Sequence, residues 1–420
     1  MSLLSRSLVL AALVTTGVPA AASDVWFVGG PLSDFPTVDL AVDAAQPGDV
    51  ILVRPGFYGS LLVDKGVSIA AFGEGTVFIG PVAATGISSS ETLALSGLTC
   101  RSNNSTPALT VDRCAGEVRV QSCRILGNGS SAGRASRVVS SSNVTFSDSE
   151  AIGGGGPASY CASADGGDAV ELVDADAYFY SSSLTGGDGV FVPSFPCPLS
   201  TEGGDGLQLE GTSTAYLSNL TVAGGNGDPS VDEGGGGNGV HVLGGIAIAR
   251  GSVLLGGMGS RGYCSGPAFD GEPFVGPVEI LEEPTRSFIP DKLVVSEGGR
   301  VRLQIESLPG DSARLIVGET DLPILEGTVQ GYVLVDAALP TTTLGSVPAS
   351  GTLTADWIAP TVPTGEGRRF ALQAFVTSNK SIRRYLGTYI IQVLDDRFFL
   401  PPVTGKSRRA PASQAGAVPQ

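Results

Sequence analysis

The chain has 420 residues, 42% of them hydrophobic and 16% charged, with 60 glycines and a formal net charge of −16. That much apolar side chain can bury a core, which excludes a glycine-rich disordered polymer. The acidic balance excludes nonspecific nucleic-acid binding, which needs a basic surface to displace counterions, and it disfavours anionic membranes.

The N-terminus reads as a secretory signal over residues 1–23. Arg6 supplies the charge, Leu8 to Val14 the apolar core, and Ala20-Ala21-Ala22-Ser23 the small-residue cleavage site. No later segment has the ~20 apolar residues of a membrane helix. The expected product is secreted, outside the cell or in the periplasm, with no transmembrane segment. Val25 to Val28 then reads as a strand. Phe35 to Ala45 reads as an amphipathic helix with Phe35, Val38, Ala41 and Ala45 on one face. Pro36 near its start and Pro47-Gly48 after it punctuate that helix.

Next comes Gly48-Asp49-Val50, then Val53-Arg54-Pro55-Gly56-Phe57-Tyr58. A capping helix followed by this segment resembles the first coil of secreted right-handed parallel β-helix proteins of the pectate-lyase-like superfamily. The resemblance implies the coiled fold and export. It does not imply lyase activity.

Two glycine boxes recur downstream. An opening box begins at Gly153, Gly186, Gly224 and Gly256, and a closing box at Gly166, Gly203 and Gly236. From closing box to the next opening box the step is 20, 21 and 20 residues; from opening to closing it is 13, 17 and 12. A constant unit of about 20 residues suits one coil of a β-helix, and the variable units are loops extruded from one edge. Aligned on the closing boxes, Val170, Leu207 and Val240 point inward, as do Leu172, Leu209 and Val242. Glu171, Gln208 and His241 point outward between them. Asp168, Asp205 and Asn238 stack. The β-helix is expected over residues 24–283.

After Arg286 the boxes stop. Residues 287–396 alternate as the strands of a β-sandwich of immunoglobulin-like size, without cysteine. Residues 397–420, rich in Pro, Ala and Ser, read as a disordered tail.

Six cysteines suit an oxidising compartment. Cys161 and Cys197 occupy successive loops and are the disulfide candidates. Cys100 and Cys123, about one coil apart, either stack as a second bridge or pack as buried thiols. No CxxC occurs, so zinc is not expected.

Three residues invite a catalytic reading. Asp174 and Asp176, two apart, share a face if they lie on a strand, and glycoside hydrolysis uses paired carboxylates. VDADA also suits a turn between strands. His241 is the only histidine. The Asn-Thr-Asp, Asp-Asp, Gly-His-Gly and Arg-Ile-Lys motifs of β-helix polygalacturonases are missing. The lyase reading also lacks its base, since no Lys or Arg lies between Val138 and Ala249. No cofactor is expected, with calcium the one metal to consider. Asp168, Asp205, Asp188 and Asp228, with Asn226, Asn238, Asp232 and Glu233, offer oxygen donors on glycine turns. Asp and Asn also cap turns on their own account.

The leading expectation is a noncatalytic scaffold or adhesion protein whose stacked loops bind a glycan or surface partner. The competing one is a polysaccharide hydrolase or lyase on the same fold.

Overall fold

The computed structural model describes residues 23–31, 33–103, 106–129, 133–156, 165–190, 201–228, 234–259, 269–281, 284, 286–318, 341–378 and 383–399. The signal segment up to Ala22, the Cys161–Cys197 pair, Asp232, Glu233 and residues 400–420 lie outside them.

Three parallel sheets share one axis. The first has ten strands, from Val25–Val28 to Val278–Leu281; the second runs from Leu61–Val63 to Phe274–Val275, and the third from Gly56–Tyr58 to Val253–Leu255, with eight strands each. Each full coil visits the second, first and third sheets in turn. Residues 170–185 show the pattern, with strands Val170–Val173, Asp176–Tyr180 and Ser183–Thr185. This is the expected right-handed parallel β-helix, the hand that parallel crossovers take.

Alternation builds the core. Val170 pairs with Leu207 and Leu207 with Val240, all fully buried. Phe146 and Phe179 stack inside at 4.9 Å. Corners between strands need a left-handed residue, supplied by Arg113, Ser140 and Asp174 on one side and by Ser122, Asp148, Ser181 and Asn219 on the other. One residue past several corners, a buried hydroxyl caps the coil below: Ser149 Oγ accepts from Cys123 N at 3.2 Å, and Ser182 Oγ from Ser149 N at 3.2 Å. Cys123 thus stands in a serine column. Cys100, Cys114 and Cys123 are buried free thiols, so the Cys100–Cys123 bridge is not formed.

The helix caps the first coil but is shorter than its pattern. It spans Val38–Ala44 and buries Val38, Ala41 and Val42. Phe35 lies outside it, bridged to Val28.

The glycine boxes are neither strand nor helix. They form a two-column array of extended segments linked by backbone hydrogen bonds. Gly167 N donates to Gly154 O, Gly187 N to Gly167 O, Gly204 N to Gly187 O, Gly225 N to Gly204 O and Gly237 N to Gly225 O, all at 2.7–2.8 Å. A Cβ on Gly204 would stand 2.2 Å from Gly167 O. Only glycine fits such an approach, as in collagen.

The C-terminal region has a three-stranded sheet (Ser287–Pro290, Arg300–Glu306, Thr352–Ile358) facing a five-stranded one. They enclose a core of their own around Phe288, Leu303, Leu372 and Tyr389. The strand Arg383–Leu394 lies along the outward face of the first sheet. Leu394 packs with Val50 and Leu52 of the first full coil. Gln121 exchanges two hydrogen bonds with Ile390, at 2.7 and 3.1 Å, and Arg384 lines a cavity beside Arg250. From Arg384 to Leu394 a strand reaches about 33 Å, and eight stacked strands span about 34 Å, so one sandwich strand matches the stack it covers. Residues 397–399 of the expected tail are part of the fold. A short helix, Asp396–Phe398, sets Phe398 5.8 Å from Phe27 and Phe399 5.7 Å from Phe72.

Candidate functional site

The sandwich roofs the first sheet, so candidate chemistry falls to the outward face of the second. There the pairing register sets Arg137 beside Glu171, Glu171 beside Gln208 and Gln208 beside His241. Strand alternation turns these outward because their neighbours fill the core.

Glu171 is nearly buried under two guanidiniums. Its Oε2 lies 2.7 Å from Arg137 Nε and 3.5 Å from Arg134 Nε. Arg134 Nε also reaches Asp168 Oδ2 at 3.1 Å. A second row stands where the chain enters the sheet. Asp168 Oδ1 accepts from Asp205 N at 2.9 Å, Asp205 Oδ1 from Asn238 N at 2.7 Å, and Asn238 Oδ1 from Glu272 N at 3.0 Å. Asp205 Oδ2 faces His241 Nδ1 at 2.8 Å. A proton on Nδ1 makes this bond and leaves Nε2 as acceptor. Burial pushes the Asp168 carboxyl above the usual carboxylate range; the Asp205 N–H and Arg134 oppose that shift, and the Asp205 charge reinforces it.

A parallel ladder runs on the outgoing glycine segments. Asp188 Oδ1 accepts from Asn226 N at 2.7 Å, and Asn226 Oδ1 from Met258 N at 2.9 Å. Asp228 follows, half-buried, on the same segment. One carboxylate oxygen on each of Asp168, Asp205 and Asp188 therefore already accepts a backbone N–H. Among the described residues no group of three or more His, Cys, Asp or Glu is placed to hold a metal ion.

Asp174 and Asp176 do not share a strand. Asp174 is the left-handed corner residue, and its Oδ1 accepts from Thr212 N at 3.0 Å. Asp176 opens the next strand, in the first sheet, opposite Thr214. Both stand past the exit ends of the second-sheet strands, whereas His241 turns to Asp205 at their entry ends. The Asp205–His241 pair and the Arg134 and Arg137 partners of Glu171 were not singled out from the sequence. The box alignment holds the signal: Asp168, Asp205 and Asn238 each stand three residues before Glu171, Gln208 and His241, which sets Asp205 diagonally from His241 of the next coil.

These features define a right-handed parallel β-helix whose outward polar rows are joined coil to coil by hydrogen bonds. No protein-family model and no curated protein matches the chain. Among solved structures, pectate lyase Pel9A is similar at 14% identity over 64% of this chain and 80% of its own, with a TM-score of 0.32. The enzymatically active domain of tailspike protein 2 of bacteriophage CBA120 is similar at 10% identity over 87% of this chain and 71% of its own, with a TM-score of 0.23.

Proposed function

We propose that this protein is an exported, noncatalytic scaffold that binds a glycan, or a surface bearing one, along its outward rows and the loops rooted on the glycine edge. The observation that supports it is the ladder itself. Asp205, which faces the histidine, and Asp168, one coil before it, each give one oxygen to the backbone of the next coil and the other to imidazole or a guanidinium. Groups held this way serve to position the surface, since their oxygens are already engaged in it. A repeating polymer laid along the stack would meet a polar side chain about every 4.8 Å. No helix among the described residues is long and apolar enough to cross a membrane.

A second reading rests on one pair. Asp168, with its raised pKa, stands one coil from Asp205, near the ~5–5.5 Å that retaining glycosidases use. In that reading Asp168 is the acid and Asp205 the nucleophile. The test is a panel of neutral and acidic polysaccharides incubated with the mature chain, followed by reducing ends and unsaturated products. The proposal expects no product but retention of at least one polysaccharide on the immobilised protein. Product that vanishes in Asp205→Asn would establish the second reading instead.

A further inference from the structure

We propose that the last coil of the β-helix is a self-association surface, and that two copies of this chain join there end to end. The two ends of the solenoid differ. The first coil is closed by the helix Val38–Ala44. At the other end the strands Val253–Leu255, Phe274–Val275 and Val278–Leu281 are the terminal members of all three sheets. Among the described residues no further strand pairs with their outer edges, so the backbone N–H and C=O groups there are open to strands of another chain. Ile280 occupies an inward position, opposite buried Ala249, yet is 48% exposed. It lines a hollow with Ala249, Val253 and Leu281.

An open end alone would expose inward side chains. Here the outward ones have changed as well. On two of the three sheets polar residues of earlier coils give way to apolar ones at the terminal strand, Thr221 to Val253 and His241 to Val275, while on the first sheet Ile248 is followed by Glu279. Val253 is 52% exposed. Exposed Val253, Leu255, Phe274, Val275 and Ile280 together make an apolar patch at this end, the composition of a buried junction and not of a solvated cap.

The chain's own long segments start elsewhere. Residues 1–22 join at Ser23, which bridges Gly367 beside the first coil. Residues 400–420 follow Phe399, which packs on Phe72. Residues 319–340 follow Gly318, aligned through Ala371 with Ile390 at mid-stack. A second copy fits by symmetry. A two-fold axis through the middle of the first sheet and the glycine edge exchanges the second and third sheets. Val278–Leu281 then meets its own copy antiparallel, with the ends of the second and third sheets flanking that contact. The helix cap blocks the other end, so the contact is isologous and closes at two instead of growing a filament.

Sedimentation velocity on the mature chain, from about 1 µM to about 500 µM, tests this. A dimer is expected, tightened by added salt because the chain is strongly acidic and Glu279 stands outward on the terminal strand. Val253→Lys and Ile280→Lys should each weaken it about 30-fold or more with little change in melting temperature. Leu62→Lys, an equally exposed apolar site on the first coils, should leave it intact. A wild type that stays monomeric at every concentration overturns the proposal, and would mean that segment 260–268 or a foreign partner covers this end. A dimer lost equally in Leu62→Lys also overturns it.

Discussion

The glycine edge and the first sheet run along the same axis, coil for coil, yet they are held by opposite means. On the glycine edge backbone meets backbone: Gly167, Gly187, Gly204 and Gly225 pass hydrogen bonds from one column to the other with no side chain between. On the first sheet side chains do the work on both faces. Val118 and Val120 face the core, while Glu117, Arg119 and Gln121 face the sandwich and are just as buried. The first arrangement has no slack, because any added atom meets a carbonyl. The second spreads its stability over many contacts and yields by degrees.

The sharpest way to break this comparison is Gly204→Ala. With a Cβ 2.2 Å from Gly167 O, two columns must part, and a loss on the order of 4 kcal/mol or more is expected. Gly129, with nothing within 4 Å of its Cβ position, should tolerate alanine to within about 0.5 kcal/mol. Equal melting temperatures for the two variants would show the array to be looser than described.

Next is the ion pair under the sandwich. Arg119 Nε and Glu117 Oε1 are 2.6 Å apart, and both side chains are 1% exposed. Arg119→Leu alone removes the guanidinium from beside a buried carboxylate and should cost about 3–5 kcal/mol, whereas Arg119→Leu with Glu117→Leu should recover most of it. Chemical denaturation of the three proteins checks this; no recovery in the double variant would mean the pair itself contributes net stability.

Gln121→Ala tests the junction at smaller scale. Losing two hydrogen bonds to Ile390 should cost about 1–3 kcal/mol and speed exchange of the Ile390 amide. Unchanged protection there would mean that packing alone holds the sandwich. On the ladder, Asp205→Ala should cost about 1–2 kcal/mol, because it leaves the Asn238 N–H without its acceptor. Asp205→Asn should cost less, since Asn238 fills the same role one coil on.

The smallest effect is a pH dependence at the C-terminal lock. Asp395 accepts from the Arg397 N–H and guanidinium and from Gly365 N, which holds its pKa at about 2 against an ordinary 3.8. A depressed carboxyl stabilises the fold above its ordinary value. That contribution is lost as pH falls from about 4 to about 2. Arg397→Ala should flatten this limb of the stability curve. An unchanged acid limb would place the effect elsewhere.

Much of the coil could be read without coordinates. The box spacing marks the repeat, and alternation sorts Val170, Leu207 and Val240 from Glu171, Gln208 and His241. The register of the second sheet follows directly, because in a solenoid each residue's neighbour is the residue one repeat away. The same logic stacks Asp168, Asp205 and Asn238. At Asp174 it leaves two readings open, a strand or a turn in VDADA, and the left-handed corner in the folded chain decides for the turn. It also misses what the glycines do. Their spacing marks a boundary, but only the packed columns show why no other residue is admitted.

Contacts between distant parts of the chain are another matter. Gln121 and Ile390 are 269 residues apart, and no period links them. That the sandwich roofs the first sheet, that Glu117 and Arg119 are consequently buried, and that the last coil is left open all depend on how two separately patterned units meet. Repeats and alternation are local properties of the chain, so they are written in it position by position. Docking depends on the shape and polarity of whole surfaces, which exist only after each unit has folded.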